Sequence, residues 1–350
     1  MLVPVCYPNV MYANLETVLV YVGLDRVGDG LLKLPFIRSL RTAFPNAHIT
    51  WLAGKGTSVY ANVMSPVVEN LLDEVIEKAG IGLSLKELFR SALPNRHFDL
   101  IIDTQRVALA TLVLYRIRHK EFISPFGNFI LSSRKPRKDY KYPESMQRQM
   151  LDLLEIAAGR QFETPGILDL DLNTELIAEA ARVLPEGPTY IGISPGAGGP
   201  PKCWPLRNFL LLAKAQEKAG RIPVFILGPQ EVDWKSRIEE VVPAALFPLQ
   251  KNNLGIRHNF VPQLTIALSK RLTLSVSNDS GTGHMCAVGG QPLISLFGRT
   301  VPEKFMPMTP KLTIIKAQDH GGREMHYIPL TIVKEAVERV IRESNRVANS

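Results

Sequence analysis

The chain has 350 residues, 45% hydrophobic and 21% charged, with 41 Lys+Arg against 33 Asp+Glu and a formal net charge of +8. A disordered polyelectrolyte is excluded, and the length exceeds one ordinary core and suits two domains. The excess charge is local: residues 106–150 hold 10 Lys+Arg against 3 Asp+Glu, which disfavours a uniformly basic nucleic-acid coat and describes an anion-facing patch. Cys6, Cys203 and Cys286 form no CxxC and the seven histidines no HExxH, so neither a disulfide framework nor a metal site is expected. No apolar run approaches the ~20 residues that span a bilayer. Residues 1–16 carry Pro4 and Pro8 but no basic n-region or cleavage site. A reducing cytoplasm is the expected compartment.

Short β-branched runs alternate with helical stretches, the pattern of a parallel α/β architecture. Thr17–Gly23 reads as a buried strand, Asp29–Phe44 as a helix and Ala47–Ala53 as a second strand. Ser84 with Glu87 forms a capping box for a helix reaching about Ala92. Phe98–Asp103 reads as a strand that ends in a carboxylate. From Arg116 to Tyr142 the periodicity fades and a surface loop is predicted, followed by an amphipathic helix over Glu144–Ala158. After a linker comes a second series: strand Tyr190–Ser194, helix Pro205–Ala219, strand Ile222–Leu227 and helix Val232–Val241. It continues with helix Pro262–Lys270, strand Leu272–Val276, helix Gly281–Val288, strand Pro292–Phe297 and a last amphipathic helix over Thr331–Glu343. The domains are drawn at 1–160, a linker at 161–187, 188–330, and a terminal helix at 331–350 expected to pack back on the N-terminal domain.

Ligands of open α/β sheets bind where strand C-termini meet helix N-termini, which directs attention to three turns. Leu24–Gly30 (LDRVGDG) places Asp29 at a helix start, either as a helix cap or as a working carboxylate. Gly23, Gly28 and Gly30 lack the spacing of a dinucleotide fingerprint, so a dinucleotide oxidoreductase is disfavoured. Pro195–Pro205 (PGAGGPPKCWP) offers bare backbone amides and Lys202 ahead of a helix, the physics of a phosphate cradle without a Walker sequence. Ser277–His284 (SNDSGTGH) brings a carboxylate, a hydroxyl and helix-start amides to one point. Ser280 is not in a G-x-S-x-G elbow, so a hydrolase triad is not indicated. Asp169-Leu-Asp171 is a D-x-D of the type that metal-dependent transferases use, but it falls in the linker rather than after a buried strand, and no metal is assigned.

Together the three turns resemble the inverting lipopolysaccharide heptosyltransferase family, over most of the chain. The resemblance rests on Val27-Gly28-Asp29-Gly30-Leu31-Leu32-Lys33-Leu34-Pro35, on Pro195-Gly196-Ala197 with Lys202-Cys203-Trp204-Pro205, and on Asp279-Ser280-Gly281-Thr282-Gly283-His284 with Leu296-Phe297-Gly298. It implies a GT-B fold, two facing Rossmann-like domains with parallel sheets, the C-terminal one holding a nucleotide sugar. It implies Asp29 as general base beside Gly28, and donor contacts from Gly196, Lys202, Asp279, Ser280, Gly281 and His284. A nucleoside contact falls to Glu231 or Asp233. No cofactor is implied beyond the sugar-nucleotide co-substrate, which the family's best-known members use as an ADP-heptose. Gly198-Gly199-Pro200-Pro201 and Arg299-Thr300-Val301-Pro302 depart from the family's usual residues, as does the 16-residue leader.

In the implied single displacement, domain closure excludes water. The basic stretch, Arg134, Lys135, Arg137 and Lys138 above all, falls in the half that binds an acidic glycolipid acceptor. Phe122, Phe126, Phe129, Tyr140 and Tyr142 either dip into a membrane interface or pack the loop. The implied location is the cytoplasm, peripheral on the inner membrane, with no nucleic-acid partner and the oligomeric state open. The alternatives are a non-catalytic nucleotide-sugar or polyanion binder and a sugar-nucleotide epimerase or hydrolase.

Overall fold

The computed structural model describes residues 15–89, 92–250 and 261–348; the leader through Asn14, with Cys6, lies outside the described residues. The chain divides into two compact units, Met1–Pro165 and Gly166–Ser350. In the first, β1 (Thr17–Val22), α1 (Val27–Ala43), β2 (His48–Ala53), the single turn α2 (Ser65–Val68) and β3 (Glu74–Ile76) precede β4 (His97–Asp103), α3 (Ala108–Tyr115), β5 (Arg118–Ile123) and α4 (Met146–Ala158). All pairings are parallel, in the order β3-β2-β1-β4-β5. β1 is central, with Val20 beside Trp51 on one flank and Ile102 on the other. Its residues Val18–Val22 are fully buried, which is why this segment reads as a continuous apolar run. Leu31, Leu34, Phe36, Ile37 and Leu40 of α1 are equally buried.

The second unit opens with α5 (Thr174–Val183), then β6 (Tyr190–Ser194), α6 (Leu206–Lys218), β7 (Ile222–Phe225), α7 (Trp234–Val241), α8 (Pro262–Ser269) and β8 (Leu274–Asn278). It closes with α9 (Gly281–Val288), β9 (Leu293–Phe297), the short α10 (Pro302–Phe305), β10 (Leu312–Lys316) and α11 (Leu330–Ala348). Its parallel sheet runs β10-β9-β8-β6-β7.

Three expectations are corrected. The segment drawn as linker contains α5, capped by Asn173, whose Leu176 and Ala180 pack with Leu264, Ala267 and Leu268 of α8; it is part of the second unit's core. The terminal helix, expected to return to the first unit, buries its stripe of Val333, Ala336, Val337, Val340 and Ile341 in the second unit's core with Phe209 and Leu212 of α6. The loop expected from Arg116 begins instead with edge strand β5, whose exposed Arg118 and Lys120 hide its pairing with β4.

Both sheets reverse their strand order once, between β1 and β4 and between β6 and β8. At such a reversal the crossovers leave in opposite directions and open a crevice at the strand C-termini. The turn carrying Asp29 follows β1, and the two turns carrying Lys202 and Asp279 follow β6 and β8. Because α11 completes the second core, Val337→Ala is expected to lower that unit's stability by about 2 kcal/mol; faster hydrogen exchange of the β6 amides is the measurement.

Candidate active site

In the first unit Asp29 is the third residue of α1 and half-buried. Its Oδ2 accepts the Arg26 backbone N–H at 3.3 Å, while Oδ1 takes no hydrogen bond among the described residues. The carboxylate therefore caps its own helix with one oxygen and presents the other. Gly28, just before it, is buried.

The turn is held from beneath by a residue that sequence reasoning passed over, Asp25, which is 2% exposed. One of its oxygens pairs with Lys33 of α1; the other accepts Trp51 Nε1–H at 2.7 Å and Ser58 Oγ–H at 2.9 Å. Lys33 Nζ also donates to the Leu24 carbonyl at 3.3 Å, and the buried Tyr60 hydroxyl donates to the Gly30 carbonyl at 2.6 Å. The available signal was a lysine on an otherwise buried face of α1, eight residues from an aspartate.

Across the reversal, Asp103 ends β4 beside Tyr21. It accepts hydrogen bonds from Thr111 Oγ1 at 2.7 Å, Ser124 Oγ at 2.8 Å and the Gln105 N–H at 2.9 Å. Burial outweighs those bonds and pushes its pKa up to about 6.

The basic stretch divides. Arg134 is tied to Glu121 of β5 at 2.5 Å and to the Ala157 carbonyl of α4 at 2.9 Å, so its guanidinium serves as an internal strut. Arg137 pairs with Asp139 at 3.4 Å, and Lys135 and Lys138 are exposed. The aromatic residues of this stretch pack it: Phe122 and Phe129 are buried, Tyr140 lies edge-on to Phe129, and its hydroxyl donates to Asp152 at 2.8 Å.

In the second unit the structure brings the expected donor residues to the β6/β8 reversal. Lys202 Nζ lies 3.5 Å from Asp279 Oδ2, and Thr300 Oγ1–H donates to the same oxygen at 2.7 Å. Thr300 was noted in the sequence only as part of a departure from the family pattern. Ser280 is the N-cap of α9, its Oγ accepting the Gly283 N–H at 3.3 Å. The Gly281 and Thr282 amides begin the helix and have no acceptor within it. His284 is 6% exposed, and its backbone N–H donates to the Ser280 carbonyl at 3.2 Å.

Asn278, also missed, joins the two turns. Its Nδ2 donates to the Pro195 carbonyl at 2.8 Å while its Oδ1 accepts the Trp204 N–H at 2.9 Å. Of the two nucleoside candidates, Glu231 turns inward and Asp233 is exposed. A Cβ at Gly196 would sit 2.5 Å from the Glu231 carboxyl, so a larger residue there would make that side chain shift. Burial pushes the Glu231 pKa up.

Lys202, the Asp279 carboxylate and the amides that begin α9 thus lie together at the C-terminal edge of the second sheet, and a helix start of this kind favours anions. Among the described residues no group of three or more His, Cys, Asp or Glu has metal-holding geometry. Asp169 and Asp171 are both exposed on either side of buried Leu170.

Residues 87–327 match the model of glycosyltransferase family 9 (heptosyltransferase). That span takes in the Lys202 and Asp279 turns but not the Asp29 turn. The chain is similar to lipooligosaccharide heptosyltransferase 2 of Haemophilus influenzae, 24% identical over 308 residues, covering 84% of this chain and 87% of that protein. Its fold is similar to a glycosyl transferase of family 9 from Veillonella parvula, with a TM-score of 0.70 at 21% identity over 96% of this chain and 100% of the other. It is also similar to the E. coli heptosyltransferase WaaC, solved with ADP, with a TM-score of 0.64 at 18% identity over 93% of this chain and 100% of the other. The fold is of the GT-B type, and the chain belongs to glycosyltransferase family 9, the heptosyltransferase family.

Two stability tests follow from the first unit's turn and crevice. Asp25→Ala strands the Lys33 charge and is expected to cost about 3–5 kcal/mol, whereas Asp25→Leu with Lys33→Met recovers much of the loss; urea denaturation measures both. For Asp103, a carboxyl with a raised folded pKa binds more protons folded than unfolded between about 3.8 and about 6. Its contribution therefore falls as pH rises through that window, and above it the ionised group is a constant burden of a few kcal/mol. Asp103→Asn should gain melting temperature relative to wild type on going from about pH 4 to about pH 7 in a paired series.

Proposed function

We propose that the protein transfers a heptose or related sugar from an ADP-linked donor to an acidic glycan acceptor of the lipopolysaccharide core, by single displacement with inversion. The reading is supported by family membership and, above all, by the convergence of Lys202, Asp279 and the α9 N-terminus at the β6/β8 reversal. The acceptor hydroxyl oxygen bonds to the anomeric carbon as the bond from that carbon to the diphosphate breaks. Asp29 takes the hydroxyl proton through the oxygen left open by its cap; a positioned base is worth about 10²–10⁴-fold. Lys202 and the Gly281 and Thr282 amides meet the charge that develops on the leaving diphosphate. Asp279, fixed by Thr300, orients Lys202, and Ser280 and His284 shape the sugar-facing side of the same turn. Gly196 admits the Glu231 carboxyl, which meets the nucleoside; Asp233 is the outlying alternative. Gly28 keeps the approach to Asp29 open.

Lys135, Arg137 and Lys138 are the acceptor-side cations, with Arg134 as their internal brace. The step as written uses no metal. An acidic glycolipid acceptor puts the protein's work on the cytoplasmic face of the inner membrane; among the described residues no helix is long and apolar enough to cross a membrane. A non-catalytic binder, or an epimerase or hydrolase, would differ in when the nucleoside diphosphate leaves: never, or without acceptor.

Asp29→Asn is expected to keep the donor-induced thermal stabilisation, about 2.7 kcal/mol at ~100 times the dissociation constant, while turnover falls by about 10²–10⁴-fold. Lys202→Ala should lose that stabilisation. Acceptor-dependent release of nucleoside diphosphate, undiminished by EDTA, is the readout; near-normal turnover in Asp29→Asn, or release without acceptor, overturns the assignment.

A further inference from the structure

The first unit carries an exposed apolar turn that the proposed chemistry does not use. Leu83 is 65% exposed, Leu85 70% and Phe89 87%. They lie in and just before a short 3-10 turn over Leu85–Phe89, where a helix to Ala92 was expected; Arg90 and Ser91 lie outside the described residues. Three large apolar side chains in one short stretch oppose burial and are unusual on a folded surface.

The turn is rigidly built. The Glu87 carboxylate accepts the backbone N–H groups of Gly82, Leu83 and Ser84 at 2.6, 2.9 and 2.7 Å. Buried Ile81 is pinned through its carbonyl by the Tyr21 hydroxyl at 3.2 Å, and the 3-10 turn packs against α3. On α3, Leu112 and Tyr115 are exposed as well. A chain segment that commits a carboxylate to its own backbone while leaving leucines and a phenylalanine in water is preorganised for another apolar phase.

The neighbouring charge says which phase. Lys86 is exposed between Leu85 and Phe89. The Cε of exposed Lys55, from the loop after β2, lies 3.1 Å from where a Gly82 side chain would begin. The one carboxylate within the turn, Glu87, is consumed by its backbone. Lysines whose stems lie along apolar residues keep their ammonium groups in water beside an acidic surface. Apolar side chains with such lysines fit the interface of an anionic bilayer, where the acyl boundary takes the former and the headgroups the latter.

We infer that the turn Leu83–Phe89, flanked by Lys55 and Lys86, is the surface by which this protein seats on an anionic lipid bilayer. Of the sequence's own candidates for that role near Arg134, Phe122, Phe129 and Tyr140 are occupied in packing their loop. The inference rests on the proposed function only in that a lipid-borne acceptor gives the contact its use.

The full chain is mixed with vesicles of phosphatidylcholine alone or with phosphatidylglycerol added, and the bound fraction is read by sedimentation. Wild type should bind the anionic vesicles, less so at high salt. Leu83→Ser with Leu85→Ser and Phe89→Ser should weaken binding by tenfold or more, a factor on the order of one buried side chain. Phe89→Ser alone, at the most exposed position, should show part of the loss if the triple variant folds poorly. Lys55→Gln with Lys86→Gln should remove the preference for phosphatidylglycerol. Binding unchanged in the apolar variants overturns the inference. So does a wild-type dimer that they convert to monomer in analytical ultracentrifugation, since the turn would then join two copies of this chain.

Transfer to a delipidated, water-soluble acceptor separates the two proposals. Retained soluble transfer with no vesicle binding by wild type defeats only the membrane contact. Vesicle binding without transfer to any acceptor defeats only the glycosyltransferase reading.

Discussion

Parallel strands cannot be joined by a tight hairpin; each must be followed by a crossover long enough to return to the same end of the sheet. That constraint governs both units. Every strand C-terminus opens into a loop on the same edge, and the one place where neighbouring loops part is where the strand order reverses. At β1/β4 the parting holds Asp29 and Asp103, and at β6/β8 it holds Lys202 and Asp279. Chemistry collects at these points because the sheet's connectivity leaves backbone amides and side chains there with no other strand to cover them.

The elements buried on both faces were legible from sequence. Tyr190–Ser194 and Gly281–Val288 carry the bounds that periodicity and capping residues predict. The short edge strands were not: β3 has three residues and β5 alternates exposed cations, so neither shows the apolar run on which strand recognition depends. Strand order is invisible in a single sequence, and with it the fact that the turns after β6 and β8 are neighbours. The candidate residues on those turns could be named from sequence, yet the residues that set the turns, Asp25, Asn278 and Thr300, gave little signal. Apart from the Asp25–Lys33 pair, eight residues apart, their contacts reach partners 21 to 83 positions away, a distance that no local pattern encodes. The basic stretch misled in a different way. Composition counts Arg134 with Lys135, whereas packing makes the first a strut and leaves the second in water.

The two sites are stabilised by different means. Around Asp25 a charge pair and two neutral donors fill one buried carboxylate, so the turn beside Asp29 is braced by polar groups that must all be present together. Around Asn278 a single neutral amide donates to one end of the Pro195–Trp204 loop and accepts from the other. It holds a glycine- and proline-rich segment without adding charge beside Lys202. An amide fixes the backbone without a charge of its own, so the local field is set by Lys202, the Asp279 carboxylate 3.5 Å from it and the α9 amides.

The partners of Asp25 lie 8, 26 and 33 residues along the chain, all within β1, α1, β2 and the loop that follows. The contacts that assemble the other crevice span 74, 77 and 83 residues, from Trp204 to Asn278, Lys202 to Asp279, and Pro195 to Asn278. Closing the longer loops costs more chain entropy before any contact rewards it. On a ribosome, moreover, the distal partner in each has yet to be synthesised when the first segment is complete. The brace of the Asp29 turn thus closes only short loops within the first part of the chain, whereas the crevice at the β6/β8 reversal needs partners that leave the ribosome more than seventy residues apart.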